Sequence, residues 1–218
     1  MRFYVASAYG FLFILSSVYL SVNCTLNHSS MLILKGRHGY YEYRFFILDW
    51  IQSHLRCGLL DIVIPIITSL GNGGAIWILC SITLLIFPKT RRAGASILVA
   101  LILETLCCNL FLKPFVARAR PCDVNTAVNL LIARPTDFSF PSGHTGSAFA
   151  ATAALYFEKS RLWIPAVVLS TLIAFSRLYL YVHYPSDVFA GMMIGIMSGW
   201  VGNSMTQLMK RQFYKRKV

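Results

Sequence analysis

His183 and Asp187 stand four residues apart around Tyr184-Pro185-Ser186. A helix begun at Pro185 would carry Asp187 in its first turn and leave His183 just outside it. An aspartate bonded to one imidazole nitrogen fixes the tautomer, frees the other nitrogen to attack, and stabilises the positive charge that develops on the ring. His183 is therefore a candidate nucleophile, and phosphorus is its natural target given the cations elsewhere in the chain. Lys113, Arg120 and Arg177 could together neutralise a phosphoryl group, the arginines as planar forks of donors and the lysine as a point charge. Pro141-Ser142-Gly143-His144 reads as a helix start. Its unpaired backbone N–H groups suit an anion, and Gly143 lets the backbone come close. His144 could protonate the departing oxygen and later activate water.

Two histidines and an aspartate could instead hold a metal. The surrounding cations would repel a divalent ion, and no run of carboxylates is present to hold magnesium. The chemistry expected is therefore metal-independent, with no cofactor. Glu104 stands inside an apolar stretch and is a functional candidate by position alone, without an assigned role. Arg118, Arg134 and Asp137 flank the group either as substrate contacts or as solvated loop residues.

The elements that must position these residues follow from composition. Of 218 residues, 56% are apolar and 13% charged, against about 45–50% and about 25% in soluble domains. Charge-free runs cover 3–34, 62–88 and 188–209. The expected fold is all-α, a polytopic membrane helix bundle forming a single domain over 1–218. Spans are expected near 3–22, 70–88, 94–112, 142–157, 162–180 and 187–207, six in total. The mixed segment 41–69 predicts helices lying in the interface between the first two spans. Asn72, between Gly71 and Gly73-Gly74, predicts the turn that admits the chain to the second span. The net charge of +12 does not point to nucleic acid, because the basic residues fall in short connectors between apolar stretches. Lipid head groups are the expected partner.

Arg2, Lys89, Arg91, Arg92, Lys159, Arg161 and the tail at 208–218 share one side of a six-span arrangement. The other side holds nearly as many basic residues, but Lys113, Arg120 and Arg177 among them are accounted for by the site. The positive-inside rule then places both termini in the cytoplasm and the site outside. Parity also gathers the chemistry: Lys113 to Arg120 follows the third span, Ser142 to His144 opens the fourth, Arg177 closes the fifth and His183 to Asp187 opens the sixth. All four segments meet at one membrane face. Trp163, Tyr181 and Trp200, near span ends, are expected as interface anchors.

Lys113-Pro-Phe-Val-Ala-Arg-Ala-Arg120-Pro121, Pro141-Ser142-Gly143-His144 and Ser176-Arg177 followed by His183 and Asp187 resemble the three-part signature of the type 2 phosphatidic acid phosphatase superfamily, with every fixed position present over 113–187. The resemblance implies His183 as nucleophile, Asp187 as its partner and His144 as general acid. It also implies Lys113, Arg120, Ser142, Gly143 and Arg177 as the phosphate cradle. The compact form is similar to bacterial enzymes of the plasma membrane that dephosphorylate undecaprenyl diphosphate, phosphatidylglycerol phosphate or related lipids on its outer face, such as phosphatidic acid. The expected activity is hydrolysis of a membrane lipid phosphate through a phosphohistidine. A lipid or anion transporter would explain the cations without needing His183 paired to Asp187, and a phosphotransferase would use the same site with another acceptor.

Overall fold

A computed structural model describes residues 37–215. Chain contacts divide the molecule after Phe46. Residues 37–46 form only the start of the first helix, and the bundle is built from Ile47 onward. The expected span at 3–22 lies outside the described residues. Within them the structure contains helices and no strands.

Helix α1 (Arg37–His54) leads to α2 (Gly58–Leu70), a tight turn at Asn72–Gly74 and α3 (Ala75–Ile86). Gly73 and Gly74 take φ of 57° and 71°, a left-handed conformation that costs glycine little because no Cβ meets the following carbonyl. The axis bends by 45° there. The chain crosses back in α4 (Arg91–Thr105), widens into a π-type turn (Leu106–Leu112), and ends in the short helices α5 (Lys113–Val116) and α6 (Pro121–Val124). A long loop then reaches α7 (Gly143–Phe157), followed by α8 (Trp163–Tyr179) and α9 (Pro185–Lys215). The last helix runs without a break through much of the segment expected as a basic tail.

The stretches Arg91–Val124 and Pro185–Lys210 are long and apolar enough to cross a membrane, and α2 with α3 would make one bent crossing. The sequence places five crossings in this part of the chain. Helices α7 and α8, with 15 and 17 residues, are short by that measure. Helix α7 runs through the centre of the bundle, and mostly alanines, with Leu155 near its end, meet its neighbours. Ala148, Ala150, Ala151 and Ala154 pack with Trp77, Ile97, Ala100 and Ile173 from three surrounding helices. Outward-facing side chains such as Leu79, Ile82, Ile102 and Leu110 are apolar and exposed.

Helix α9 lies against α7 along a line of glycines. A Cβ at Gly191 would stand 2.5 Å from the Ser142 carbonyl, at Gly195 2.4 Å from that of Gly146, and at Gly199 2.7 Å from that of Ala150. Residues four apart share a helix face, so only hydrogen at all three lets the two backbones touch. The contact continues polar at the start of both helices, where the Ser142 amide donates to the Asp187 carbonyl at 3.1 Å.

Tyr181 is not an interface anchor. It is fully buried, and its hydroxyl donates to Asp49 at 2.6 Å. Nearby, Gln52 donates to the Tyr179 carbonyl at 2.7 Å and the Tyr179 hydroxyl to Asp61 at 2.8 Å. These bonds tie α1 and α2 to the end of α8, so proximity to a span end did not mean contact with the interface.

Candidate active site

The start of α7, His183 just ahead of α9, the end of α8 and the segment around α5 surround one cavity of about 940 Å³. Lys113, Arg120, Gly143, His144, Arg177 and His183 line it. Apolar residues from α3 and α4, including Ile78, Leu98 and Ile102, continue its wall. Residues distant in sequence therefore meet because alternate helix ends fall together.

His183 precedes Pro185, the first residue of α9, and Asp187 stands in that helix's first turn. The Asp187 carboxylate is completely buried. It accepts from Ser139 Oγ at 2.5 Å, the Tyr184 amide at 2.9 Å and Arg118 Nη1 at 2.6 Å. His183 Nδ1 lies 3.6 Å from Asp187 Oδ2, longer than a hydrogen bond, and has no other hydrogen-bond partner among the described residues. On the far side of the ring, Arg120 Nη1 stands 3.1 Å from Nε2. A guanidinium only donates, so Nε2 must be the bare nitrogen, which assigns the proton to Nδ1 facing Asp187. Burial first, then the positive charges of Arg177 and Arg120, lower His183 to about 4 against the opposing pull of Asp187. The ring is neutral at ordinary pH, with a lone pair on Nε2.

Arg120 is held rigidly. Its Nε donates to the Asp137 carbonyl at 2.8 Å, Nη1 to the Val182 carbonyl at 2.8 Å and Nη2 to the Asp137 carboxylate at 2.6 Å. Lys113 pairs with the same carboxylate. Burial alone would raise Asp137, but the Lys113 hydrogen bond and the charges of Arg120 and Lys113 outweigh it and hold the carboxyl at about 2. A half-exposed anion thus already bridges two of the three cations. Arg177, 3% exposed, donates to Thr68 Oγ1 at 2.6 Å while its Nε has no hydrogen-bond partner among the described residues.

Gly143 begins α7 at the cavity wall, and a Cβ there would press to 3.2 Å on the Asn109 amide oxygen. Ser142 is turned inward. Its hydroxyl caps α7, accepting from the Thr145 amide at 3.5 Å and pairing with Thr145 Oγ1 at 3.0 Å. It is fully buried and does not line the cavity. His144 does line it, with Nε2 2.9 Å from Asn72 Oδ1. Glu104 also reaches this cavity. Its Oε1, without a hydrogen-bond partner among the described residues, packs on Gly146, where a Cβ would stand 2.2 Å away. Among the described residues no three His, Cys, Asp or Glu side chains gather as metal ligands.

Several participants were not assigned from sequence. Arg118 holds Asp187 and also contacts Ser186 at 2.8 Å, with its guanidinium 3.9 Å above the Tyr184 ring. Asp137 carries an equally definite role as partner of Lys113 and Arg120. Nothing in the spacing of either residue announces these pairs: Arg118 stands between α5 and α6 and reaches Asp187 in α9, and Asp137 is returned to Lys113 and Arg120 by the loop between α6 and α7. Asn72 was legible only as a turn residue.

A family model described as the PAP2 superfamily matches residues 93–211, and so takes in every residue of the cavity's charged rim. An undecaprenyl-diphosphatase of Sulfolobus acidocaldarius is 30% identical over 134 residues, covering 61% of this chain and 63% of that protein's length. The chain therefore spans somewhat less than two thirds of that relative. Undecaprenyl-diphosphatase BcrC of Bacillus subtilis is 29% identical over 156 residues, or 70% of this chain and 78% of that one. The crystal structure of the first transmembrane PAP2 type phosphatidylglycerolphosphate phosphatase from Bacillus subtilis superposes with a TM-score of 0.65 at 23% identity, over 90% of this chain and 97% of that one. The helical bundle is thus shared with a transmembrane protein, and with the family model covering more than half of its length the chain belongs to the PAP2 superfamily.

Proposed function

We propose that this membrane protein hydrolyses the terminal phosphate of a lipid phosphate in two steps. His183 Nε2 attacks phosphorus, the bond to the leaving oxygen breaks, and His144 protonates that oxygen. Water, deprotonated by His144, then attacks the phosphohistidine and releases inorganic phosphate with His183 restored. Lys113, Arg120 and Arg177 bind the phosphoryl oxygens with the Gly143 end of α7, and charge that grows on them in the transition state is met by donors already in place. The phosphate takes over from Asp137 at Lys113 and Arg120.

The observation that carries this reading is a buried His183 whose Nδ1 faces Asp187 and whose Nε2 stands beside an arginine at the cavity. A transport path has no use for that arrangement. The apolar wall of α3 and α4 suits a prenyl or acyl chain, and the names of the two relatives favour undecaprenyl diphosphate over phosphatidylglycerol phosphate and phosphatidic acid. The site faces outward from the plasma membrane and the termini face the cytoplasm. In support, Arg92 pairs with Glu158 at 3.2 Å, which puts the basic connectors at the opposite end of α7 from His144. A C-terminal fluorescent fusion should fold and glow in the cytoplasm.

The test is phosphate release by the purified protein in detergent with excess EDTA, offered each of the three lipids, with His183→Ala as the blank. Release that persists in EDTA and vanishes in the variant is expected. Release retained by His183→Ala removes it as the nucleophile, and none from any lipid by a folded protein refutes the hydrolase reading.

A further inference from the structure

The break between α2 and α3 does more than turn the chain. Asn72 sits at its apex on the cavity rim, and its carbonyl oxygen lies 2.9 Å from His144 Nε2, 72 residues further along the sequence. The preceding Gly71 lies against the edge of the same ring: a Cβ there would stand 2.9 Å from His144 Cδ2. On the other side, a Cβ at Gly74 would stand 3.7 Å from Ser147 Cβ, one turn along α7 from the histidine. The left-handed Gly73-Gly74 pair and the 45° bend thus lay this short turn along the first turn of α7.

We propose that Asn72 is a positioning residue for His144, its side-chain carbonyl fixing the ring's orientation and tautomer so that Nδ1 alone is left for the substrate. An amide oxygen only accepts, so the nitrogen facing it must carry hydrogen. In the neutral ring that is Nε2, and Nδ1 is bare. In the imidazolium both nitrogens carry hydrogen, and Nδ1 is the one that can deliver its proton. When the phosphorus–oxygen bond breaks, the departing oxygen takes the Nδ1 proton and the ring returns to neutral with Nε2–H still on Asn72. The same bare Nδ1 then accepts a proton from the water that attacks the phosphohistidine. The ring need not flip between the two steps. His183 and His144 are thereby set as opposite tautomers, Nδ1–H on the nucleophile and Nε2–H on the acid, the first facing a guanidinium that only donates and the second an amide oxygen that only accepts.

The kinetic consequence rests on the reading of His144 as the proton donor, whereas the tautomer does not. Asn72→Leu removes the acceptor at similar volume, Asn72→Ala removes it without filling the rim, and Asn72→Asp restores it. In protein labelled with ¹⁵N-histidine and assigned against His144→Gln, the neutral His144 ring is expected as the Nε2–H form in wild type and Asn72→Asp. Asn72→Leu and Asn72→Ala should lose that preference. A wild-type Nδ1–H form, or a tautomer unchanged by removing the amide, overturns the proposal. In turnover, removing the acceptor should cost about 10- to 100-fold on an alkyl monophosphate such as phosphatidic acid but less than about threefold on a prenyl diphosphate, whose leaving group needs less protonation. His144→Ala should show the same pattern more strongly, and Asn72→Leu added to it should cost nothing further. If His144→Ala distinguishes the substrates and Asn72→Leu does not, Asn72 has no positioning role. If His144→Ala fails to distinguish them while the tautomer shifts as expected, the acid reading falls and the positioning stands.

Discussion

The two ends of α7 carry clusters of similar composition and opposite character. At the far end, the buried Glu158 carboxylate accepts from Asn203 at 2.7 Å, from Ser96 at 3.1 Å and from Arg92, and Ser96 pairs in turn with Thr206 at 2.7 Å. At the near end, His183 Nδ1, Arg177 Nε and Glu104 Oε1 are buried without hydrogen-bond partners among the described residues, and Lys113 and Arg120 share a half-exposed carboxylate. Burying an unsatisfied polar group costs on the order of 1–3 kcal/mol. A fold that satisfies one end of a helix while leaving unmet polar atoms at the other is organised there for something besides its own stability.

If this contrast is right, the largest effect comes from the near end. Asp187→Asn keeps the shape and removes the charge that orients His183, and turnover should fall by about 10⁴-fold, as expected when a histidine loses its orienting carboxylate. Thermal stability should change far less. A variant that stays within about tenfold of wild type would detach Asp187 from the chemistry.

The glycine line between the two ends should fail differently. Gly195→Leu drives a side chain into the Gly146 carbonyl, separating α9, which carries Asp187, from α7, which carries His144. Overpacking of this kind costs about 1–3 kcal/mol or more, so the melting temperature should drop together with all turnover. Ordinary stability with only one lipid affected would mean that the seam tunes the substrate instead of holding the bundle.

The near end was readable because local chemistry dictates local structure there. Pro185 and Asp187 mark a helix start, Ser142 and Gly143 mark another, and helix parity brings the two to one face. Ser142, expected in the phosphate cradle, spends its hydroxyl on the helix: a serine at a helix start with Thr145 three residues on satisfies the backbone first. Gly191, Gly195 and Gly199 were visible at four-residue spacing, yet the sequence alone did not show which helix they would meet. The pair Arg118 with Asp187 depends on the irregular segment between α5 and α6, and Asp137 with Arg120 on the path of the loop after α6, neither of which any periodicity encodes. Tyr181 was misplaced because nearness to a helix end does not reveal the direction of a side chain.

At the far end, Glu158→Gln should cost stability and leave chemistry alone. The amide keeps one acceptor but cannot meet Arg92, Ser96 and Asn203 together, so about 1–3 kcal/mol of stability is at stake. The melting temperature should fall while kcat on any accepted lipid stays within about twofold. A comparable loss of kcat would join the two ends into one functional unit.

The smallest effect concerns protons. His183 titrates near 4 in the folded protein, and near 6.5 when free of its surroundings. As pH falls from about 6.5 to about 4, the unfolded chain takes up a proton there that the folded chain refuses, so this residue lowers stability over that window and changes nothing further below it. Asp137 acts elsewhere: held at about 2, its contribution is complete above its free value near 3.9 and is lost only as pH falls below that. Between about pH 6.5 and about pH 4, the melting temperature of wild type should therefore decline more steeply than that of His183→Gln, in which the other titrating groups are unchanged. Identical slopes would mean that His183 takes up its proton as easily folded as unfolded, and the neutral nucleophile would have to be given up.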